Sequence, residues 1–299
     1  MPSRSSVPTR SLPAETRLGR VTLAVSDLEH VLPFYRDVVG LRVRDRGDGR
    51  AVLGVADAGD TGDDPPADLL ALEEDADAGP RPSDAAGLFH TAFLFPSRGA
   101  LGDALARARD AGTRLTGASD HRVSEALYLR DPEGNGVELY RDRPRSEWPE
   151  EDGDVRMDTL ALDVDALLAD RAGDADAAGD PAPAGTAVGH VHLEVTELDE
   201  AEAFHVDAAG FEVRQRLGGD ALFVAAGGYH HHVGLNTWNG RTAPASGRGL
   251  AEFEVLVPDG DALDAVSESL VAAGVDVRED GDGVVALSPD DVRVRFATD

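Results

Sequence analysis

"GRVTLAVSDLEHVLPFYRDVVGLRV" (19–43) and "GHVHLEVTELDEAEAFHVDAAGFEV" (189–213) share one template over 25 positions without a gap. Each opens on alternating apolar residues, VTLAV or VHLEV, the pattern of a half-buried strand. A helix follows, introduced by Ser26-Asp27 or Thr196-Glu197 and closed by Gly40 or Gly210. A second pair aligns in the same way: "GLFHTAFLFPSRGAL" (87–101) with "GLAEFEVLVPDGDAL" (249–263). After each helix come short strands separated by Gly- and Asp-rich turns. The unit is therefore βαβββ, present four times, and the fold class is α+β.

These repeats divide the chain. Residues 1–16 form a polar tail, 17–142 hold modules one and two, and 187–299 hold modules three and four. The stretch 143–186 is rich in Asp, Ala, Gly and Pro and reads as an acidic linker carrying one short helix around 159–169. Within it, "DRAGDADAAGDPAPAG" (170–185) is a low-complexity piece expected to move freely.

Composition narrows the function. Asp and Glu number 57 against 28 basic residues, all of them arginine, for a net charge of −29. Such a chain repels nucleic acid and anionic membranes, and no apolar run approaches the ~20 residues that span a bilayer. A cytoplasmic protein in a salt-rich interior is expected, because salt screens self-repulsion of the acidic shell. Cysteine is absent. Any metal site must then use His, Asp and Glu, which suits iron, manganese or zinc.

Paired βαβββ modules resemble the vicinal oxygen chelate superfamily, in which two modules curl into an open cup with metal ligands on facing strands. The resemblance implies two such half-barrel cups here. At the equivalent first-strand position the modules carry Arg20, His90, His190 and Glu252; at the last-strand carboxylate position they carry Glu138 (module two) and Arg295 (module four). Neither sequential half completes a ligand set. Modules two and three together offer His90, Glu138 and His190, the two imidazoles and one carboxylate that suit non-haem Fe(II) and leave positions open for substrate and oxygen. The expected pairing is therefore two with three around the metal, and one with four as a metal-free cup.

The segment "HRVSEALYLRDPEGNGVE" (121–138) closely resembles the signature of the type I extradiol ring-cleaving dioxygenases, with His121, Leu127-Tyr128, Asp131-Pro132-Glu133-Gly134 and Glu138 at its key places. "YHHHVGLNTW" (229–238) resembles a second element of that family, and the similarity is greatest to catechol-2,3-dioxygenases of the four-module bacterial kind. The resemblance implies Glu138 as iron carboxylate, Tyr128 and His121 as pocket residues, and His231 as the acid–base group. It further implies Fe(II), a catechol and O2 as reactants, and a 2-hydroxymuconic semialdehyde as product. Alternation along a strand would turn His230 and His232 away from His231. His30 and His205, on the helical repeats, are expected to be solvated. Two rival readings are a glyoxalase-like metal-dependent lyase and a metal-free drug-binding protein of the same fold. A homo-oligomer is compatible with the dioxygenase reading.

Overall fold

The computed structural model of the chain describes residues 11–55, 68–151, 154–172 and 181–298. All four modules have the expected order of elements. Module one runs Arg17–Val25, helix Leu28–Pro33 with a π-helical turn Phe34–Val39, then strands Arg42–Gly47, Arg50–Gly54 and Asp68–Glu74. Module two has Gly87–Leu94, helix Arg98–Asp110, then Gly117–Asp120, Ser124–Arg130 and Gly136–Asp142. Module three has Ala187–Glu194, helix Leu198–Glu202 with the turn Ala203–Ala208, then Glu212–Leu217, Ala221–Ala225 and Val233–Asn236. Module four has Gly249–Val257, helix Gly260–Ala272, then Val277–Asp280, Gly283–Leu287 and Arg293–Thr298.

The helix ends follow from local chemistry. Asp27 accepts from the backbone N–H of His30, while Gly40 and Gly210 take φ of 93° and 90° to leave the π-helical turns. Those left-handed values suit glycine because it has no Cβ to clash. Ser26 and Thr196 do something else. Ser26 binds Glu133 of the module-two turn, and Thr196 binds Asp290 of the module-four turn. These two equivalent contacts tie neighbouring modules of one sequential half together across different sheets.

Two large curled sheets result, beside a two-stranded one formed by Glu150–Glu151 and Asp154–Val155. The eight-stranded sheet joins modules four and one through the antiparallel pair Gly249–Val257 and Arg17–Val25. The nine-stranded sheet joins modules two and three through Gly87–Leu94 and Ala187–Glu194. Each cup thus takes one module from either sequential half. One hydrophobic core is shared by both, with Leu23, Phe93, Leu193 and Phe253 contributed by the four first strands.

Several expectations need correction. The stretch 143–186 is not a bare spacer: strand Leu160–Ala161 pairs with Gly117–Asp120, and helix Val164–Ala169 packs on Arg98–Asp110. A Cβ on Gly102 would meet the Leu167 carbonyl at 2.7 Å, so glycine permits that close approach. Trp148, Val155 and Leu167 are all buried. These apolar residues, not the acidic composition, decide where the segment goes. Similarly, Leu12 and Thr16 of the polar tail are buried, and Leu12 donates its backbone N–H to Gly210. The tail before residue 11 and residues 173–180 of the low-complexity piece lie outside the described residues. His205 is also not solvated. It is 1% exposed and bonds through Nδ1 to the Ala201 carbonyl, whereas His30 is exposed as expected.

Candidate metal centre and its pocket

His90 and His190 stand on the two central strands of the nine-stranded sheet. His190 lies opposite Ala92 in the antiparallel register, and Ala92 lies beside Glu138 in the parallel one. The small Ala92 side chain leaves open the space between them. Glu138 Oε2 is 2.9 Å from His90 Nε2 and 3.1 Å from His190 Nε2, and the three donor atoms lie within 4.8 Å of one another. Neighbouring corners of an octahedron with bonds of ~2.1 Å are about 3 Å apart, so this donor set fits a divalent cation. Among the described residues His90 Nε2 has no hydrogen-bond partner despite its nearness to the carboxylate, as suits an atom placed to face a metal ion.

All three groups are buried. Burial opposes ionisation of Glu138, but the adjacent His190 and His90 rings outweigh it and hold the carboxyl well below the usual range. Burial lowers His190 to about 4, so at neutral pH its imidazole is neutral, the form that ligates a metal.

Tyr128 lies directly across the hairpin from Glu138. His121 Nδ1 is 2.6 Å from the Asp158 carbonyl, and its Nε2 is 2.6 Å from the Tyr128 hydroxyl. A neutral imidazole must donate to the carbonyl and so accept from the phenol. Burial, reinforced by the Glu138 charge, raises the Tyr128 pKa well above that of a free phenol. Tyr128 and His121 line a cavity of about 480 Å³ together with His90, Glu138, His190 and His231. Its apolar wall includes Phe89, Val137, Leu217, Phe223 and Trp238.

A family model described as "Glyoxalase/Bleomycin resistance protein/Dioxygenase superfamily" matches residues 17–139. The chain is 42% identical over 275 residues to catechol-2,3-dioxygenase of Bacillus subtilis (strain 168), covering 90% of this chain and 92% of that one. The chain belongs to this superfamily. Among solved structures, glyoxalase I from Zea mays superposes with a TM-score of 0.56 at 15% identity, covering 95% of this chain and 92% of that one. The cppA protein from Streptococcus pneumoniae TIGR4 gives 0.54 at 9% identity, covering 95% and 99%. At such identities these likenesses concern the superfamily fold alone.

Within that superfamily fold, the expected arrangement of the three consecutive histidines needs revision. They precede the strand Val233–Asn236 instead of lying within it, so faces do not alternate. His231 does reach the cavity, with its ring 4.1 Å from that of His190. His230 does not point away: its Nδ1 is 2.8 Å from His231 Nδ1. His232 turns back to accept from the Ala226 backbone N–H. Burial, with the nearby His190 and His230, pushes the His231 pKa well below its ordinary value.

Sequence reasoning assigned no role to His192, which sits directly opposite His90 with ring centroids 5.0 Å apart. It lines the cavity among Phe89, Phe223 and Trp238, and its Nε2 has no partner among the described residues. A signal existed. His190 and His192 are two apart on a strand and so share a face. The Met157–Thr159 part of the cavity wall had no comparable signal, because it comes from the stretch read as linker.

Proposed function

We propose that this chain is an Fe(II)-dependent extradiol dioxygenase that opens a catechol ring with O2 to give a 2-hydroxymuconic semialdehyde. The observation that carries the reading is the meeting of His90, Glu138 and His190 at the floor of a cavity walled by Tyr128 and His231. The name of the Bacillus subtilis relative supports it. Iron held by these three residues would supply the centre at which diol and dioxygen are brought together and electrons pass between them. The remaining work falls to the chain. The apolar wall encloses the ring and excludes water. Tyr128, held by His121, stands beside Glu138 where it can hydrogen-bond a diol oxygen. His231, beside His190, takes a proton from the diol and returns one as the ring opens. With Glu138 as the one carboxylate among the three donors, a bound Fe(II) would keep a net positive charge, which would favour an anionic catecholate.

A glyoxalase-like lyase would call for a second carboxylate. Glu252, the other acid at a ligand position, belongs to the second sheet and pairs with Arg293 at 3.0 Å. The test is direct: the chain purified without oxygen, given Fe(II) and catechol in high salt, is expected to form a yellow ring-cleavage product on exposure to air. No product from the iron-loaded chain, or turnover of a lyase substrate with zinc or nickel alone, would refute the reading.

A further inference from the structure

Behind His231 lies a chain of side chains, buried at His230 and partly exposed at Asp142, that the reading above does not use. Asp142 Oδ1 is 2.9 Å from His230 Nε2, and His230 Nδ1 is 2.8 Å from His231 Nδ1. Asp142 belongs to strand Gly136–Asp142 and shares a face with Glu138 and Tyr140 at a spacing of two. One strand therefore supplies both the candidate metal carboxylate and a second carboxylate behind the acid–base group. His230 is fully buried, its ring 4.0 Å from that of Tyr229 and 5.2 Å from that of Trp148. Arg145 caps this enclosure by lying over both of those rings.

Hydrogen-bond accounting assigns the protons. A carboxylate only accepts, so His230 Nε2 must donate to Asp142. A neutral imidazole has a single N–H, and His230 Nδ1 is then a bare acceptor. The nitrogen facing it, His231 Nδ1, must carry the hydrogen. His231 Nε2, on the far edge of the ring, is left with its lone pair.

We propose that Asp142 and His230 are positioning residues that hold His231 in one tautomer, with Nδ1 protonated and Nε2 bare toward the pocket. This inference rests on His231 being the acid–base group. That tautomer meets an incoming diol with a proton acceptor: the O–H bond breaks, an N–H bond forms at Nε2, and the positive charge so created is stabilised through His230 by the Asp142 carboxylate. The arrangement also explains why histidine stands at 230, where an apolar residue would fill the same enclosure without linking Asp142 to His231.

The test is tautomer-resolved NMR on the full-length chain with 15N-labelled histidine, metal-free and with Zn(II) as a diamagnetic ion. The His231 signals are identified by their loss in His231→Phe. The expected wild-type spectrum shows His231 protonated at Nδ1 with unprotonated Nε2. Asp142→Ala should populate the opposite tautomer and lower kcat of the iron-loaded chain about tenfold, less than the ~10²–10⁴-fold that an acid–base group itself contributes, with KM and iron content little changed. Asp142→Asn, whose carbonyl still accepts, should keep the wild-type tautomer. A wild-type His231 protonated at Nε2, or a tautomer indifferent to Asp142→Ala, would overturn the proposal. The metal-free spectrum reads the tautomer whether or not catechol is cleaved, so failure of the dioxygenase reading is seen separately.

Discussion

The two cups place equivalent residues at the crossing of their central strands. In the nine-stranded sheet these are His90, Ala92, His190 and Glu138; in the eight-stranded sheet, by the same registers, they are Glu252, Glu254, Arg20 and Arg295. In the first cup Ala92 leaves room at the centre, and the donors converge on it. In the second, Glu254 fills that place, with Oε1 2.8 Å from Arg20 and 3.9 Å from Arg295. The first centre thus gathers a carboxylate and two imidazoles that can all donate to a cation, whereas in the second cup the positive charge is covalently attached. The backbone makes either centre available. Four side chains decide whether it suits a cation or an internal ion pair, which is why the fold alone does not give the function.

The sharpest way to break this comparison is to remove donors from the first cup. His90→Ala, Glu138→Ala and His190→Ala are each expected to lose bound iron by elemental analysis and, with it, all ring cleavage. Three ligands leave none in reserve. Stoichiometric iron in any one variant would remove that residue from the centre. Next in size is His231→Phe, expected to retain iron while kcat falls by ~10²–10⁴-fold. Loss of iron in that variant would point to a ligand role instead.

The strand–helix–strand order was readable because period-two and helical patterns repeat with the same glycines, Gly40 and Gly210, at the ends. The cross-half pairing was readable for a different reason: only one combination of modules collects two histidines and a carboxylate at ligand positions. What escaped depends on contacts distant in sequence. Nothing local in Met157–Thr159 says that it will wall a cavity, and Leu167 packs where Gly102 permits it. Alternation fails for the three histidines because they lie in a loop ahead of their strand. There the Tyr229 ring stacks 4.0 Å from that of His230, so the course of the loop is set by packing.

A smaller effect is expected from the second cup. Glu254→Ala should leave iron content and turnover unchanged, since its partners Arg20 and Arg295 lie in the other sheet. It should cost about 1 kcal/mol of stability: two half-buried guanidinium groups lose a carboxylate, discounted for the solvent that reaches them. Chemical denaturation measures the cost. A fall in iron content would mean that the two cups are coupled, and the comparison would no longer separate a metal centre from an ion-pair centre.

The smallest expected effect compares modules one and three through their helices. The repeat aligns His205 with Tyr35, and both are fully enclosed, but Tyr35 donates its hydroxyl to Asp131 whereas His205 Nε2 has no partner among the described residues. Burial lowers the His205 pKa from 6.5 to about 4. The unfolded chain therefore binds the extra proton first as pH falls. The sign follows: stability is complete above about pH 6.5, declines through the window between 6.5 and 4, and the loss is full below it. At pH 6 the contribution of this one group is only ~0.8 kcal/mol by that linkage. His205→Phe, which keeps an aromatic ring in the same enclosure, is expected to flatten this part of the profile relative to wild type. Denaturation midpoints at about pH 7.5 and about pH 6 for the two chains measure it. An identical drop in both would show that His205 is not protonated on unfolding in that range, and that its burial costs the fold nothing as the solution becomes acid.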